Sequence, residues 1–216
     1  MKKTGSREQI LDRIKNSAVR QKEKQEGITG KVQEEPFPVF PLSDLPLAKQ
    51  FREELEKIQG NFHLIKNRDE LLDTLKDLHN EYQWPFIFCR DQQLTEILIA
   101  AGLEVTSDME RFPDTKATFT VCEWLIAETG GVLVHSGSTS GRKLNFFPEV
   151  HIVLANQNQL VRTLEEALVR IQEKFGQNLP SQITHIAGPS RTADIEKTLV
   201  MGAHGPKALH IMLIEY

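Results

Sequence analysis

Short apolar runs along the chain alternate with stretches in which apolar residues recur every three or four positions. The short runs predict buried strands, and the recurring pattern predicts amphipathic helices. Strands that alternate with helices are typical of a parallel sheet with right-handed connections. We therefore predict an α/β domain in which a mainly parallel sheet is flanked by helices. The predicted strands lie at 62–65, 86–89, 118–121, 132–134, 150–154, 183–187 and 209–214, and the predicted helices near 47–58, 67–78, 91–101 and 160–175.

Local signals mark where several of these elements begin and end. Asn67, which is followed by Glu70, and Asp91 stand where helix N-caps belong. Gly60 follows the last apolar position of the first of these helices and predicts its end. Residues 122–127 lie between two strands and are predicted to form a helical turn.

Residues 1–42 differ in pattern from the rest of the chain. A helix is predicted at 6–24, with one apolar stripe that includes Ile10 and Ile14. Two glycines and three prolines follow it and predict an extended linker. We therefore divide the chain into an N-terminal helical arm with its linker, 1–42, and a single α/β domain, 43–216.

Composition removes several classes of function. The formal net charge of −4 argues against a nucleic-acid-binding protein. No apolar run approaches the ~20 residues of a membrane span, and the first residues lack the apolar segment of a signal peptide, so we expect a cytoplasmic protein. The two cysteines, Cys89 and Cys122, belong to no C-x-x-C pair. The chain is therefore expected to hold no metal site and no cofactor of its own.

The stretch 188–206 has the residues of an anion site. Gly188 breaks the preceding strand, and Thr192 stands where the N-cap of a short helix belongs. Backbone N–H groups at a helix start attract anions, Ser190 adds a hydroxyl, and Arg191 adds a guanidinium that matches a carboxylate or phosphate. The alternative is a capped turn with Arg191 in water.

Glu128, Thr129 and Gly130 precede another predicted strand. A carboxylate at such a position can act as a base or nucleophile, and the glycine lets a ligand approach the backbone. Glu128 is therefore the candidate catalytic residue. The alternative is a turn in which Glu128 is solvated.

Two further loops offer polar groups. Residues 136–142, SGSTSGR, could wrap a phosphate and place Arg142 beside it, although the spacing is not that of a Walker A loop; the alternative is a mobile surface loop. His204 and Gly205 lie in a tight loop near the anion site, where His204 could donate a hydrogen bond or move a proton. The histidines within strands, such as His151, His185 and His210, are expected to be hydrogen-bonded core residues.

Loops of an α/β sheet meet at the carboxyl ends of its strands, where ligands bind. We therefore expect the candidate residues to converge on one cleft there. They are Glu128, Thr129, Gly130, Arg142, Gly188, Ser190, Arg191, Thr192, His204 and Gly205.

Taken together, these motifs resemble the LUD domain, the domain of the lactate utilisation protein C family, over residues 45 to 216. The motifs that carry the resemblance are Ala127–Gly130, Gly141–Arg142, Pro148 with His151–Ile152, Gly188–Glu196, and Gly202 with His204–Pro206. One position departs from it, since Gly131 stands where many members have a second threonine.

The resemblance implies a fold like that of the NagB/RpiA/CoA transferase group. It also implies a bacterial role in oxidising L-lactate to pyruvate, alongside iron–sulfur subunits. Our first hypothesis is a subunit that binds a small anionic metabolite or organises those partners. The alternatives are a stand-alone enzyme that uses Glu128 on a sugar phosphate, acyl-CoA or folate-like ligand, and a structural scaffold.

Overall fold

Three of the helices begin at residues whose side chains cap the backbone. The computed structural model describes residues 45–193, 199–201 and 205–215. Asn67 Oδ1 accepts from the Glu70 amide at 2.9 Å, and Asp91 Oδ1 accepts from the Leu94 amide at 3.1 Å. Both predicted N-caps are confirmed. The helices are α1 (Leu47–Lys57), α2 (Arg68–Tyr82), α3 (Gln92–Ala100) and α4 (Leu164–Phe175), with short 3₁₀ turns at Phe112–Asp114 and Gln157–Gln159.

A six-stranded sheet forms the centre of the domain, and all its neighbouring strands are parallel. The predicted α/β fold with a mainly parallel sheet is therefore confirmed. In spatial order the strands are β1 (Asn61–Ile65), β12 (Ala208–Ile214), β7 (Val150–Asn156), β4 (Ala117–Val121), β2 (Ile87–Phe88) and β3 (Val105–Thr106).

A second, mixed sheet was not expected from the sequence. Its strands, in spatial order, are β8 (Leu160–Val161), β5 (Trp124–Ile126), β6 (Gly131–His135) and β9 (Ile183–Ile186). The predicted helical turn at 122–127 is wrong, because Trp124, Leu125 and Ile126 pair antiparallel with β6. Leu125 packs inwards and its two neighbours pack outwards, as the two-residue period of a strand requires.

Alternating side chains arrange these elements in four layers. One face of the parallel sheet packs on α2 and α3 through residues such as Ile152 and Leu98. Its other face packs on the mixed sheet and α1, where Val153 and Leu55 belong to one apolar cluster. Helix α4 covers the outer face of the mixed sheet through Ala167 and others. The mixed sheet is thus buried on both faces.

The last helix is shorter than the predicted range 160–175. Leu160 belongs to β8, and α4 begins only after Thr163, whose hydroxyl accepts from the Glu166 amide at 3.2 Å. Leu168, which is one of the apolar residues in this helix, is 45% exposed. The buried side of the helix instead contains Ala167 and Ile171.

The prediction of a short helix that begins at Thr192 is also wrong. Residues 191–193 form β10 (Arg191–Ala193), which pairs antiparallel with β11 (Leu199–Met201). The cross-strand pairing satisfies the backbone of this segment, which a helix start would have left open. The arm at 1–42 and His204 lie outside the described residues. Within those residues, no helix has the length and apolarity needed to cross a membrane.

Candidate functional site

A small cleft lies where three chain segments meet beside the amino ends of β7 and β12. Its volume is about 190 Å³. One segment precedes β7, one follows β9 and one leads into β12. The residues that line the cleft are Asn145, Phe146, Ile186, Gly188, Ser190, Gly205, Pro206 and Leu209.

Backbone hydrogen bonds hold these segments together. The Ser190 amide donates to the Pro206 carbonyl at 2.7 Å, and the Lys207 amide donates to the Glu149 carbonyl at 2.7 Å. Gly188 has φ +84°, and a Cβ there would lie 2.5 Å from the carbonyl oxygen of Ile58 at the end of α1. A glycine is therefore required where the chain leaves β9 and enters the cleft.

The cleft does not lie at the predicted edge of the parallel sheet. It was expected at the carboxyl ends of the strands, yet Phe146 precedes β7 and Pro206 precedes β12. Of the strands beside the cleft, only β9 contributes its carboxyl end. The reason is that β9 runs in the mixed sheet, antiparallel to β6, and delivers the chain to the amino end of β12.

Three predicted residues line this cleft: Gly188, Ser190 and Gly205. Arg191 comes directly after Ser190, at the start of β10, and its side chain is exposed. Thr192 follows it in the same strand, paired with Val200. The cleft also contains Asn145 and Phe146, which sequence reasoning missed. The one sequence signal near them is the aromatic pair before Pro148.

The Glu128 side chain caps the first residue of α4. Its carboxylate Oε1 accepts a hydrogen bond from the Leu164 amide at 2.9 Å, and its own amide donates to the Arg162 carbonyl at 3.0 Å. Leu164 is the first residue of a helix, whose N–H groups have no intrahelical partner and favour an anion. The carboxylate therefore binds the helix, on the outer side of the mixed sheet.

Thr129 lies on the same outer side. Its hydroxyl accepts from the Gly131 amide at 3.2 Å and lies 3.1 Å from His185 Nε2, to which it can donate. Burial lowers the pKa of His185, and the nearby Glu128 raises it to a smaller extent. Gly130 occupies the turn itself, against the backbone of Leu55. Ile186 and Leu209 of the cleft face the inner side, whereas the Glu128 carboxylate and the Thr129 hydroxyl bond to groups on the outer side.

Arg142 lies outside the cleft, in the loop 136–149. Its guanidinium donates to Ser181 Oγ at 2.8 Å, beside the amino end of β9, and the side chain is exposed. Several amides of this loop are bonded within the domain, such as that of Ser136 to the Gln182 carbonyl and that of Gly141 to the Ser138 carbonyl. These amides are consequently not directed towards a phosphate.

A sequence model of the LUD domain matches residues 48–214. The chain belongs to the LUD domain family. This LUD domain is 39% identical over 93 residues to the lactate utilization protein C of Geobacillus sp. (strain WCH70), covering 42% of this chain and 39% of that protein. It is 34% identical over 117 residues to the lactate utilization protein C of Bacillus licheniformis, covering 53% of this chain and 48% of that protein.

The uncharacterized protein YkgG of Escherichia coli (strain K12) is 32% identical to this LUD domain over 117 residues, covering 53% of this chain and 49% of that protein. The chain thus spans less than half the length of these relatives. A solved structure of a DUF162 family protein from Deinococcus radiodurans has a TM-score of 0.60 at 18% identity, and covers 81% of this chain and 99% of that one. That likeness supports the fold.

Buried histidines are a further feature of this LUD domain. His151 Nε2 lies 2.8 Å from Thr120 Oγ1, and burial lowers the pKa of His151 to about 3. His210 bonds at 3.1 Å both to His63 and to the hydroxyl of Tyr82, and burial lowers its pKa to about 3. The expectation that His151 and His210 are hydrogen-bonded core residues is confirmed.

No group of three His, Cys, Asp or Glu side chains in the described residues could hold a metal ion. Cys89 and Cys122 are both buried, and desolvation raises the pKa of Cys122 to about 12. A buried thiol with a raised pKa is a poor source of the thiolate that ligates metals.

Proposed function

We propose that this protein is the LUD-domain component of a lactate utilisation system and binds a small anionic metabolite in the cleft. The observation that carries the proposal is the similarity to proteins named lactate utilization protein C. The chain matches less than half of each of those proteins. The proposal is therefore confined to the system in which the protein acts and to the chemical type of its ligand.

The size and the polar groups of the cleft support a small anion as the ligand. A volume of about 190 Å³ is below the 300–1,000 Å³ typical of pockets for drug-sized molecules. Ser190 offers a hydroxyl inside the cleft, and the exposed Arg191 follows it directly. In this proposal the Arg191 guanidinium binds the carboxylate, since its charge-assisted hydrogen bonds are strong and directional.

Partner subunits supply the redox chemistry in this proposal. The chain has two cysteines, too few for the four thiolates of an ordinary iron–sulfur cluster. We therefore assign electron transfer to separate iron–sulfur subunits in the cytoplasm, and we expect no cofactor in this chain. Its own part is to bind the metabolite or to hold those subunits together.

The rival proposal, a stand-alone enzyme that uses Glu128, has less support. A catalytic carboxylate must reach the proton or carbon on which it acts. Glu128 instead accepts the amide of Leu164 and is not among the residues that line the cleft. The contact favours a structural role for this side chain.

Genetic replacement in a relative tests the proposed function. In Bacillus licheniformis, the gene for lactate utilization protein C is deleted and the gene for this chain is supplied in its place. We expect growth on L-lactate as sole carbon source to be restored. Reintroduction of the native gene is the positive control, and failure of this chain where the native gene succeeds would count against the proposal.

Two arginine variants test the place of binding. Arg191→Ala is expected to weaken L-lactate binding about tenfold, since a charge-assisted hydrogen bond is lost. Arg142→Ala, which removes an equal charge from a side chain bonded to Ser181, is the matched control and should change the affinity much less. Equal effects of both variants, measured by isothermal titration calorimetry, would contradict this assignment.

A further inference from the structure

A line of buried polar side chains lies on the face of the parallel sheet that is turned towards the cleft. Thr118 and Thr120 of β4 and His151 of β7 are all nearly inaccessible to solvent. Apolar side chains fill most of this face, because it packs on the mixed sheet. Polar groups in such a place are normally paired with each other.

Pairing in this line is incomplete. His151 Nε2 is bonded to Thr120 Oγ1 at 2.8 Å, whereas His151 Nδ1 has no hydrogen-bond partner among the described residues. Asn145, which lines the cleft, is 1% exposed, and its Oδ1 likewise has none among them. The Asn145 Nδ2 group donates to the Gly141 carbonyl at 3.4 Å, which orients the amide and leaves Oδ1 as the free acceptor.

The strand register places His151 next to a residue that lines the cleft. In the parallel sheet His151 is the partner of Leu209 on one side and of Thr118 on the other. Paired residues of neighbouring strands project side by side, roughly 5 Å apart, and Leu209 lines the cleft. On the other side Thr118 Oγ1 donates to the Leu144 carbonyl at 2.8 Å, and Asn145 is the next residue. Asn145 therefore lines the cleft, and His151 lies in the strand position beside its lining residue Leu209.

We propose that Asn145 and His151 determine ligand specificity in this cleft and select carboxylates with a hydroxyl on the neighbouring carbon, that is, 2-hydroxy acids, over the corresponding 2-oxo acids. This inference rests on the proposed function, because it takes the cleft as the anion site. It adds the chemical class of the ligand and the two side chains that recognise it.

The reason lies in what each ligand group can donate. Asn145 Oδ1 can only accept a hydrogen bond, so it needs a donor. A 2-hydroxyl can donate to Asn145 Oδ1 and accept from His151 Nδ1–H when the Thr120 hydroxyl donates to Nε2. A 2-oxo group can only accept, and it would leave Oδ1 buried without a partner, which costs affinity. Sites built to pair a ligand hydroxyl discriminate strongly against analogues that lack it.

Three acids that differ only at the second carbon test this inference: L-lactate, pyruvate and propionate. Calorimetric titration of the full chain at neutral pH should show L-lactate binding about tenfold or more tightly than either of the others. Asn145→Ala and His151→Gln should bring the three affinities close together. His63→Gln changes a histidine on the opposite face of the sheet and is the matched control, so it should keep the wild-type preference.

The outcomes separate the two proposals. If the wild-type protein binds all three acids equally, or if the preference survives both variants, specificity by Asn145 and His151 is refuted while anion binding stands. If none of the acids binds and growth on L-lactate is not restored, the proposed function fails and this inference fails with it. Should a variant not fold, ¹⁵N spectra of the wild-type histidines decide the matter. The His151 Nδ1 resonance should shift with L-lactate and stay in place with pyruvate, and the absence of that difference refutes the inference.

Discussion

At the scale of single residues, the contact between Gly131 and His185 explains a departure from the family pattern. A Cβ built on Gly131 would overlap His185 Nε2. The imidazole therefore occupies the space into which a threonine at position 131 would project. Thr129 then bonds to His185, so the two positions are coupled through a shared volume.

The coupling predicts non-additive changes in stability. Gly131→Thr should lower the free energy of unfolding by about 1–3 kcal/mol, because the added side chain overpacks a filled space. His185→Ala opens that space, so the threonine should cost much less in the double variant. Urea denaturation of the four proteins in the cycle measures the coupling, and simple additivity would show that the imidazole moves aside freely.

At the scale of elements, the start of α4 is held by side chains near and far in the sequence. Thr163 accepts from the Glu166 amide, and Glu166 Oε2 accepts from the Arg162 amide at 2.9 Å. Glu128, 36 residues before Leu164, accepts the first amide of the helix. The mixed sheet and its covering helix are thereby joined at the turn between β5 and β6.

Replacing Glu128 should therefore destabilise the domain. Glu128→Ala is expected to cost about 1–2 kcal/mol of unfolding free energy, since the Leu164 amide loses a charged acceptor. Glu128→Gln should cost less, because its amide oxygen can still accept. Urea denaturation measures both changes. If Glu128→Ala unfolds at the wild-type urea concentration, the contact with α4 contributes nothing and a role in chemistry gains weight.

At the scale of the whole molecule, buried neutral histidines make stability depend on pH. Desolvation lowers the pKa of His63, His151, His185 and His210 in the folded protein. In the unfolded chain these groups titrate near their ordinary value of about 6.5 and bind protons more readily. Their contribution to stability is thus fully present above pH 6.5 and is lost as the pH falls below it.

The contribution of His151 to this pH dependence of stability can be measured separately. Its folded pKa of about 3 predicts that it alone removes about 2 kcal/mol of stability between pH 7 and pH 5. His151→Gln cannot be protonated and should flatten the dependence by that amount, as measured by urea denaturation at both pH values. An unchanged slope would mean that His151 remains neutral in the unfolded chain or becomes charged in the folded one.

A second prediction for the whole molecule is that the domain folds without residues 1–42. The family match begins at residue 48, and the sequence pattern at 1–42 differs from that of the body. We expect that a chain lacking 1–42 still unfolds in one cooperative transition, because no predicted core position is removed. Differential scanning calorimetry checks this, and loss of the transition would place the arm within the core.

Local patterns in the sequence were sufficient for most helices and for five of the six strands of the parallel sheet; β3 was not predicted. Asn67 and Asp91 cap helices through bonds that span three residues, so their signals lie within a single turn. Apolar runs such as that of β12 predict central strands, because such strands are buried on both faces. The resemblance to the LUD domain was readable for the same reason, since its motifs are short and ordered along the chain.

Pairing between strands that are distant in sequence determined the features that local patterns did not predict. Residues 124–126 are a strand because β6 and β8 lie on either side of them, and β9 joins the mixed sheet because it pairs with β6. That second sheet moves the cleft to the amino ends of β7 and β12. It also directs Glu128 to the start of α4. Such contacts depend on which strands become neighbours, and neighbours distant in sequence leave no periodic signal in the residues themselves.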